Sequence, residues 1–210
     1  MTLKIRKDAP SGTIMIDRPD RRNALSRETI RELQNAFEDF QQERSVRAII
    51  LTGAGDTFSA GADLKQIQET VATGEPHQQW HSDAQEFQEL IEYMLRFPKP
   101  IIASINGPII GSALALMLAC DIVVASERAS LSMPEPRLGL CSGLAAALLA
   151  FRIGNRPSKL CFDNRANAGA QSLPRIGLIP RGRTKPLGLG AMSGTGWRNR
   201  QRCAALISLN

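Results

Sequence analysis

Short apolar strands alternate with helical stretches from Leu3 to Ile153, and this alternation constrains the fold more than any other feature of the chain. Leu3 to Arg6 and Thr13 to Asp17 alternate in the strand manner around Asp8-Ala-Pro-Ser-Gly12, a loop of turn formers, and read as a hairpin. Ser26 is an N-cap for a helix to about Glu43, whose Ile30, Leu33, Phe37 and Phe40 recur at spacings of three and four. Val46 to Leu51 reads as a buried strand. A polar helical stretch is expected over 64–79, followed by an amphipathic helix carrying Phe87, Leu90, Ile91, Met94 and Leu95 and stopped by Pro98. Ile101 to Ile105 forms a strand, Ala113 to Cys120 an enclosed helix, Ile122 to Ala125 and Ser130 to Ser132 strands, and Gly143 to Ile153 a further helix. Such alternation implies an α/β domain with right-handed crossovers.

The chain has 210 residues, 43% of them hydrophobic, enough for one domain with its own core. Its apolar runs, such as Ala113 to Cys120, are far short of a membrane span. Met1 to Ser11 is polar and strand-like, so neither signal nor transit peptide is expected and the compartment expected is the cytoplasm. Cys120, Cys141, Cys161 and Cys203 show no metal-binding or disulfide-dense spacing. His77 and His81 lie one helical turn apart, but without an acid or thiol nearby they read as an exposed polar face, and no metal is expected. Charge divides sharply along the chain. Residues 1–150 hold 15 Lys/Arg against 19 Asp/Glu, whereas 151–210 hold 11 against one. The division is therefore a core at 1–160 and an atypical basic tail at 161–210, without periodicity over 182–202.

Two glycine turns carry the chemistry. Gly61, in Phe58-Ser-Ala-Gly-Ala-Asp-Leu64, and Gly111, in Asn106-Gly-Pro-Ile-Ile-Gly-Ser112, each follow a buried strand and precede a helical segment. Glycine there lets the backbone bend sharply and approach a ligand. Main-chain N–H groups before a helix lack internal partners, and two such turns facing one another would hold a developing oxyanion. Pro134-Glu135-Pro136 supplies a lone carboxylate on a stiffened backbone, able to move a proton.

These segments together resemble the enoyl-CoA hydratase/isomerase (crotonase) family. Phe58 to Lys65, Asn106-Gly with Gly111 and Cys120-Asp121, and Pro134-Glu135 with Leu138-Gly139 carry the resemblance, joined by Arg18-Pro19, Asn23-Ala-Leu25 and Val46 to Gly53, over about residues 10–158. The resemblance implies a ββα spiral and an acyl-CoA ligand, hence a role in fatty acid metabolism. It implies that the Ala62 and Ser112 amides bind the thioester oxygen and that Glu135 transfers the proton. It also implies that Ala24, Ala60, Ala62, Asp63, Leu64, Lys65 and Gly111 bind substrate, with CoA part of the substrate and no other cofactor. A homotrimer or hexamer is the assembly implied.

The chain departs from the family pattern at several places. Ala115 stands where the family's hydratases carry a second glutamate, Ser112 and Ala113 replace usual glycines, and Cys141-Ser-Gly-Leu-Ala-Ala146 replaces a glycine-rich turn. Adding water divides easily between two carboxylates, whereas moving a double bond needs one base that takes a proton and returns it elsewhere. Ala115 thus favours isomerisation or weak hydration, with a non-catalytic or degenerate acyl-CoA binder as the alternative. Residues 168–179 faintly resemble a family helix that Pro174 would break, and the family's further C-terminal helices have no counterpart. The charge jump and lost periodicity raise the expectation that the reading frame, or the native sequence, is lost in parts of 161–210. Nucleic-acid binding through Arg181, Arg183, Lys185, Arg198, Arg200 and Arg202 is the weakest reading, since Trp197 is the sole aromatic among them.

Overall fold

The protein is described by a computed structural model, covering residues 1–72, 74–138, 141–153 and 167–169. Strands β1 (Leu3–Asp8) and β2 (Ser11–Ile16) form the expected hairpin, paired from Leu3 opposite Ile16 to Asp8 opposite Ser11. Helix α1 (Arg27–Gln42) starts where the sequence places it, with the Ser26 hydroxyl accepting from the Thr29 amide. Its buried Ile30, Leu33, Phe37 and Phe40 are the positions that the helical period selects.

Strand β3 (Ala48–Gly53) lies two residues later than expected. Arg47 instead donates its amide to Pro10, and the strand runs on because β2 offers a parallel partner as far as Ile16 opposite Gly53. The expected helical stretch over 64–79 is two pieces, α2 (Leu64–Val71) and the start of α3 (Pro76–Leu95). Gly74, at φ +90°, turns the chain between them, and Pro76 at the first turn of α3 has no amide to donate backwards. Strand β4 (Ile101–Ile105), a two-residue β5 (Ile109–Ile110) absent from the sequence reading, α4 (Ala113–Leu118), β6 (Ile122–Ala125), β7 (Ser130–Ser132), α5 (Gly143–Ile153) and β8 (Asn167–Gly169) follow. Beyond 153 only β8 is described, so the readings of Pro174, the basic residues from Arg181 onward, Cys161 and Cys203 lie outside the described residues.

Two sheets organise these elements. The larger has the order β1-β2-β3-β4-β6, parallel apart from the hairpin, and the smaller has the order β5-β7-β8. All six residues of β3 are buried, as a central parallel strand requires. Ile14, Ile16, Leu33, Phe37, Phe40, Ile49 and Leu51 form the core beside it, and every residue of α4 is buried too. Among the described residues no helix is long and apolar enough to cross a membrane. Cys120 is buried and Cys141 exposed, both as free thiols.

The contact between α1 and the hairpin has no slack. A methyl group on Gly12 would lie 2.3 Å from the Phe40 ring, whose side chain is fully enclosed. Relief requires the ring to move into a filled core, which typically costs ~1–3 kcal/mol. Gly12→Ala is therefore expected to lower the stability to urea by about that amount, read as a shift in the midpoint at unchanged slope.

Candidate active site

The Gly61 turn is held between two short parallel bridges. On one side the Leu25 amide donates to the Gly61 carbonyl (2.7 Å) and the Asp63 amide donates to the Leu25 carbonyl (3.2 Å). In a parallel bridge the residues flanking Ala62 take those bonds, so the Ala62 amide faces the opposite way. On the other side Ser59 bridges Ile109, and the Ile110 amide donates to the Ser59 carbonyl (3.0 Å). The second turn is thereby laid directly beside the first. A methyl on Gly61 would lie 3.1 Å from the Ser112 nitrogen and 2.5 Å from the Ile110 oxygen. Among the described residues neither the Ala62 nor the Ser112 amide donates to a main-chain acceptor.

One detail differs from the sequence reading. The Ala62 amide belongs to an extended bridge that precedes α2, not to the first turn of a helix. Asp63 is the N-cap of α2, and its carboxylate accepts from the Lys65 amide (3.2 Å) and from Arg18 Nη1 (2.9 Å). That ion pair is largely enclosed, with the Asp63 side chain 8% exposed. Arg18 Nη1 also donates to the Ala24 carbonyl (2.7 Å), so a single guanidinium fastens the N-terminal loop to the Gly61 turn. Asn23 reinforces the joint: its amide donates to the Ala54 and Thr57 carbonyls while its carbonyl accepts from the Arg18 amide.

Glu135 reaches the same place through the small sheet. Strand β5 pairs with β7 in the register Ile109 opposite Leu131 and Ile110 opposite Ser132, and the Gly111 amide donates to Ser132 (2.9 Å). Beyond Ser132 the chain turns at Pro134 into a short 3-10 turn over Glu135–Leu138, which carries the carboxyl over Gly111. A methyl on Gly111 would lie 2.6 Å from Glu135 Oε1. Only glycine leaves that space, and its φ of +58° is also one that glycine tolerates best. Glu135 is half-buried, and its Oε2 is enclosed without a partner among the described residues. This burial holds its acid dissociation above the ordinary carboxylate range.

A cavity of about 370 Å³ opens at the paired turns. Ala62, Asp63 and Ser112 line it together with Leu25, Ile30, Ile67, Trp80 and Phe87. Arg27 and Asp83 close one side as a two-pronged pair, Nε to Oδ1 at 2.6 Å and Nη2 to Oδ2 at 2.7 Å. The hydrogen bond from Arg27 holds the Asp83 carboxyl below its ordinary range.

The structure thus brings Gly61, Ala62, Asp63, Gly111, Ser112 and Glu135 together. Ala24 is buried next to the Arg18 contact, and Ala60 donates its amide to Arg22. Leu64 and Lys65 stand exposed on α2, with Lys65 3.6 Å from Glu69. His77 and His81 are exposed, and His77 meets Trp80 edge-on. Sequence reading missed Arg27, Ile67, Trp80 and Asp83 as site residues. The spacing of Trp80, Ala84, Phe87 and Ile91 on one face of α3 carried the signal, obscured by the polar residues between them.

An α/β chain with two sheets and paired glycine turns under a carboxyl defines a narrow structural class, and comparison with known proteins identifies it. The profile of the Enoyl-CoA hydratase/isomerase family matches residues 8–182, and the chain belongs to that family. A Thermus thermophilus protein provisionally named an enoyl-CoA hydratase is 33% identical over 80% of this chain and 66% of its own length. The 4-chlorobenzoyl coenzyme A dehalogenase-2 of an Arthrobacter species is also 33% identical, over 80% of this chain and 61% of its own. The crystal structure of an enoyl-CoA hydratase from Bacillus anthracis superposes with a TM-score of 0.78 at 31% identity, covering 85% of this chain and 69% of that one. The fold is the crotonase-like ββα spiral expected from the sequence. The chain spans less than two thirds of the length of these two curated relatives.

Replacing the two positive-φ glycines that flank α2 separates strain from crowding. Gly74→Ala meets open space and is expected to cost only the left-handed backbone penalty, roughly 1–2 kcal/mol. Gly61→Ala adds a clash with the Ile110 carbonyl, so its loss is expected to exceed that of Gly74→Ala by about 1 kcal/mol or more. Denaturant unfolding of the two variants side by side checks the order.

Proposed function

We propose that this chain acts on an acyl-CoA thioester through an enolate. In this reading the Ala62 and Ser112 amides bind the thioester oxygen, and Glu135 moves a single proton. The observation that carries the reading is the carboxyl of Glu135, with Oε1 2.6 Å from where a methyl on Gly111 would lie and Oε2 enclosed without a partner among the described residues. A carboxylate takes the proton next to the thioester carbonyl, the negative charge passes to the oxygen, and the two amides stabilise it there. Removing one such donor typically costs ~2.7–4 kcal/mol in the transition state. Returning the same proton two carbons further along completes a double-bond shift from the 3- to the 2-enoyl position.

The acids that line the cavity do not fit a second proton-transfer role. Asp63 is held by Arg18 and by the Lys65 amide, and Asp83 is kept ionised by Arg27. Ala115, where a second glutamate would be expected, is fully buried and carries no acid. Single-base isomerisation is accordingly favoured over hydration. Beyond the CoA of the substrate this chemistry needs no cofactor, and the reading extends to a cytoplasmic role in fatty acid metabolism as a homotrimer or hexamer. A second reading, an acyl-CoA binder without turnover, draws on the same Ala115.

Assays of 3-enoyl-CoA isomerisation and 2-enoyl-CoA hydration decide between these readings. Isomerisation is expected to exceed hydration, and Glu135→Gln is expected to lower kcat about 10²–10⁴-fold with KM little changed. Binding without turnover of either substrate would establish the second reading instead.

The pH dependence follows from the elevated Glu135 value. The base must be ionised, so the acid limb of kcat/KM is expected above the ordinary 4.5. Stability has the opposite sign. An acid whose folded value is raised opposes folding once it is charged, and that penalty disappears as pH falls below the unfolded value. Glu135→Gln is therefore expected to be more stable than the wild type near about pH 8, with the difference vanishing below about pH 4. Unfolding midpoints across pH check this; a constant difference would rule out the assignment of the shift to Glu135.

A further inference from the structure

Ser112 brings more to the paired turns than its amide. A methyl on Gly61 would lie 3.1 Å from Ser112 Oγ and equally 3.1 Å from the Ser112 nitrogen. Side chain and main chain of one residue therefore face the same point of the opposing turn, and Ser112 lines the cavity together with Ala62.

Among the described residues nothing uses that hydroxyl. It does not cap α4, and it has no hydrogen-bond partner. Nor is it enclosed, since Trp80 Nε1 and Glu135 Oε2 are the buried side-chain polar atoms without partners among those residues. The carboxylates that line the same cavity are already taken, Asp63 by Arg18 and the Lys65 amide, Asp83 by Arg27 and Gln79. Glu135 Oε2 receives nothing from it either. The backbone does not require serine, because φ −60° and ψ −18° suit most residues. Its neighbours on both sides, Ile109–Ile110 and Ala113–Leu118, are apolar. A half-buried, accessible hydroxyl that bonds to nothing in the chain is available to what enters the cavity.

We infer that the Ser112 hydroxyl is a third donor to the thioester oxygen, a catalytic side chain added to the Ala62 and Ser112 amides. The inference rests on the acyl-CoA reading, in which that oxygen accepts from the Ser112 amide. The amide and hydroxyl of one serine are close enough to share an acceptor, and here both face the first turn. A neutral thioester carbonyl accepts weakly. When Glu135 takes the proton beside it, the electron pair passes to the oxygen, and a hydrogen bond to the resulting anion is much stronger. The hydroxyl keeps its own proton throughout. Its contribution therefore falls on the transition state more than on substrate binding.

Two variants of the full chain test this, Ser112→Ala and Ser112→Gly. Both keep the main-chain amide, and neither adds bulk. Isomerisation of a 3-enoyl-CoA is one readout. The other is exchange of the α hydrogens of octanoyl-CoA for deuterium in heavy water, which needs only that the enolate forms and is reprotonated. Both variants are expected to lower kcat and the exchange rate about 10- to 100-fold. Their affinity for octanoyl-CoA by calorimetry is expected to stay within about threefold of the wild type. Rates within about twofold of the wild type, where Glu135→Gln abolishes both reactions, would overturn the inference and leave the acyl-CoA reading intact. A loss confined to affinity, with kcat unchanged, would overturn it as well and assign Ser112 to ground-state binding. A wild type that neither isomerises nor exchanges would overturn the inference together with the catalytic reading.

Discussion

The packing of the Ser59–Asp63 segment between Leu25 on one side and Ile109–Ile110 on the other is the constraint on which the site depends. Each neighbour takes main-chain groups from one edge of the segment, and what remains is an Ala62 amide facing away from Leu25. The same pairing brings Ser112 against Gly61, at a separation that allows no side chain there. Local strand geometry, more than helix dipoles, therefore sets the direction of the first donor. Asp63 then serves structure, capping α2 and receiving Arg18, and leaves the Ala62 amide unused.

The small sheet supplies the acid. Because β5 and β7 run parallel in register, the chain leaving Ser132 passes beside Gly111, and two prolines confine where the next side chain can lie. Burial raises the Glu135 value, whereas two-pronged pairing with Arg27 lowers that of Asp83. The two carboxyls are thereby driven apart in character. One is suited to taking and returning a proton, and the other is suited to holding three helices together.

This arrangement gives the cavity a division of labour. Its polar end is main chain, rigid because both turns are tied into bridges. Other lining residues come from α2 and α3, which are joined by a turn at Gly74 and clasped through Arg27. The relatives named above, a provisional hydratase and a dehalogenase of an aromatic thioester, differ in reaction although both are 33% identical to this chain.

Much of this was legible in the sequence because it is local. The hairpin, the capped helix with Phe37 and Phe40 inward, and the bounds of α5 follow from side-chain period and turn residues, and the motif order alone identified the family. Gly61, Gly111 and Glu135 stood out because turns and prolines leave a mark on composition. What the sequence could not fix is long-range register. The two-residue β5 exists only because Ser59 and Leu131 flank it, the β3 boundary is set by β2, and the break between α2 and α3 needed Gly74 and Pro76 to act together. Trp80 likewise gained its place in the cavity lining from folding: periodicity puts it on a helix face, and neighbours distant along the chain decide what that face meets.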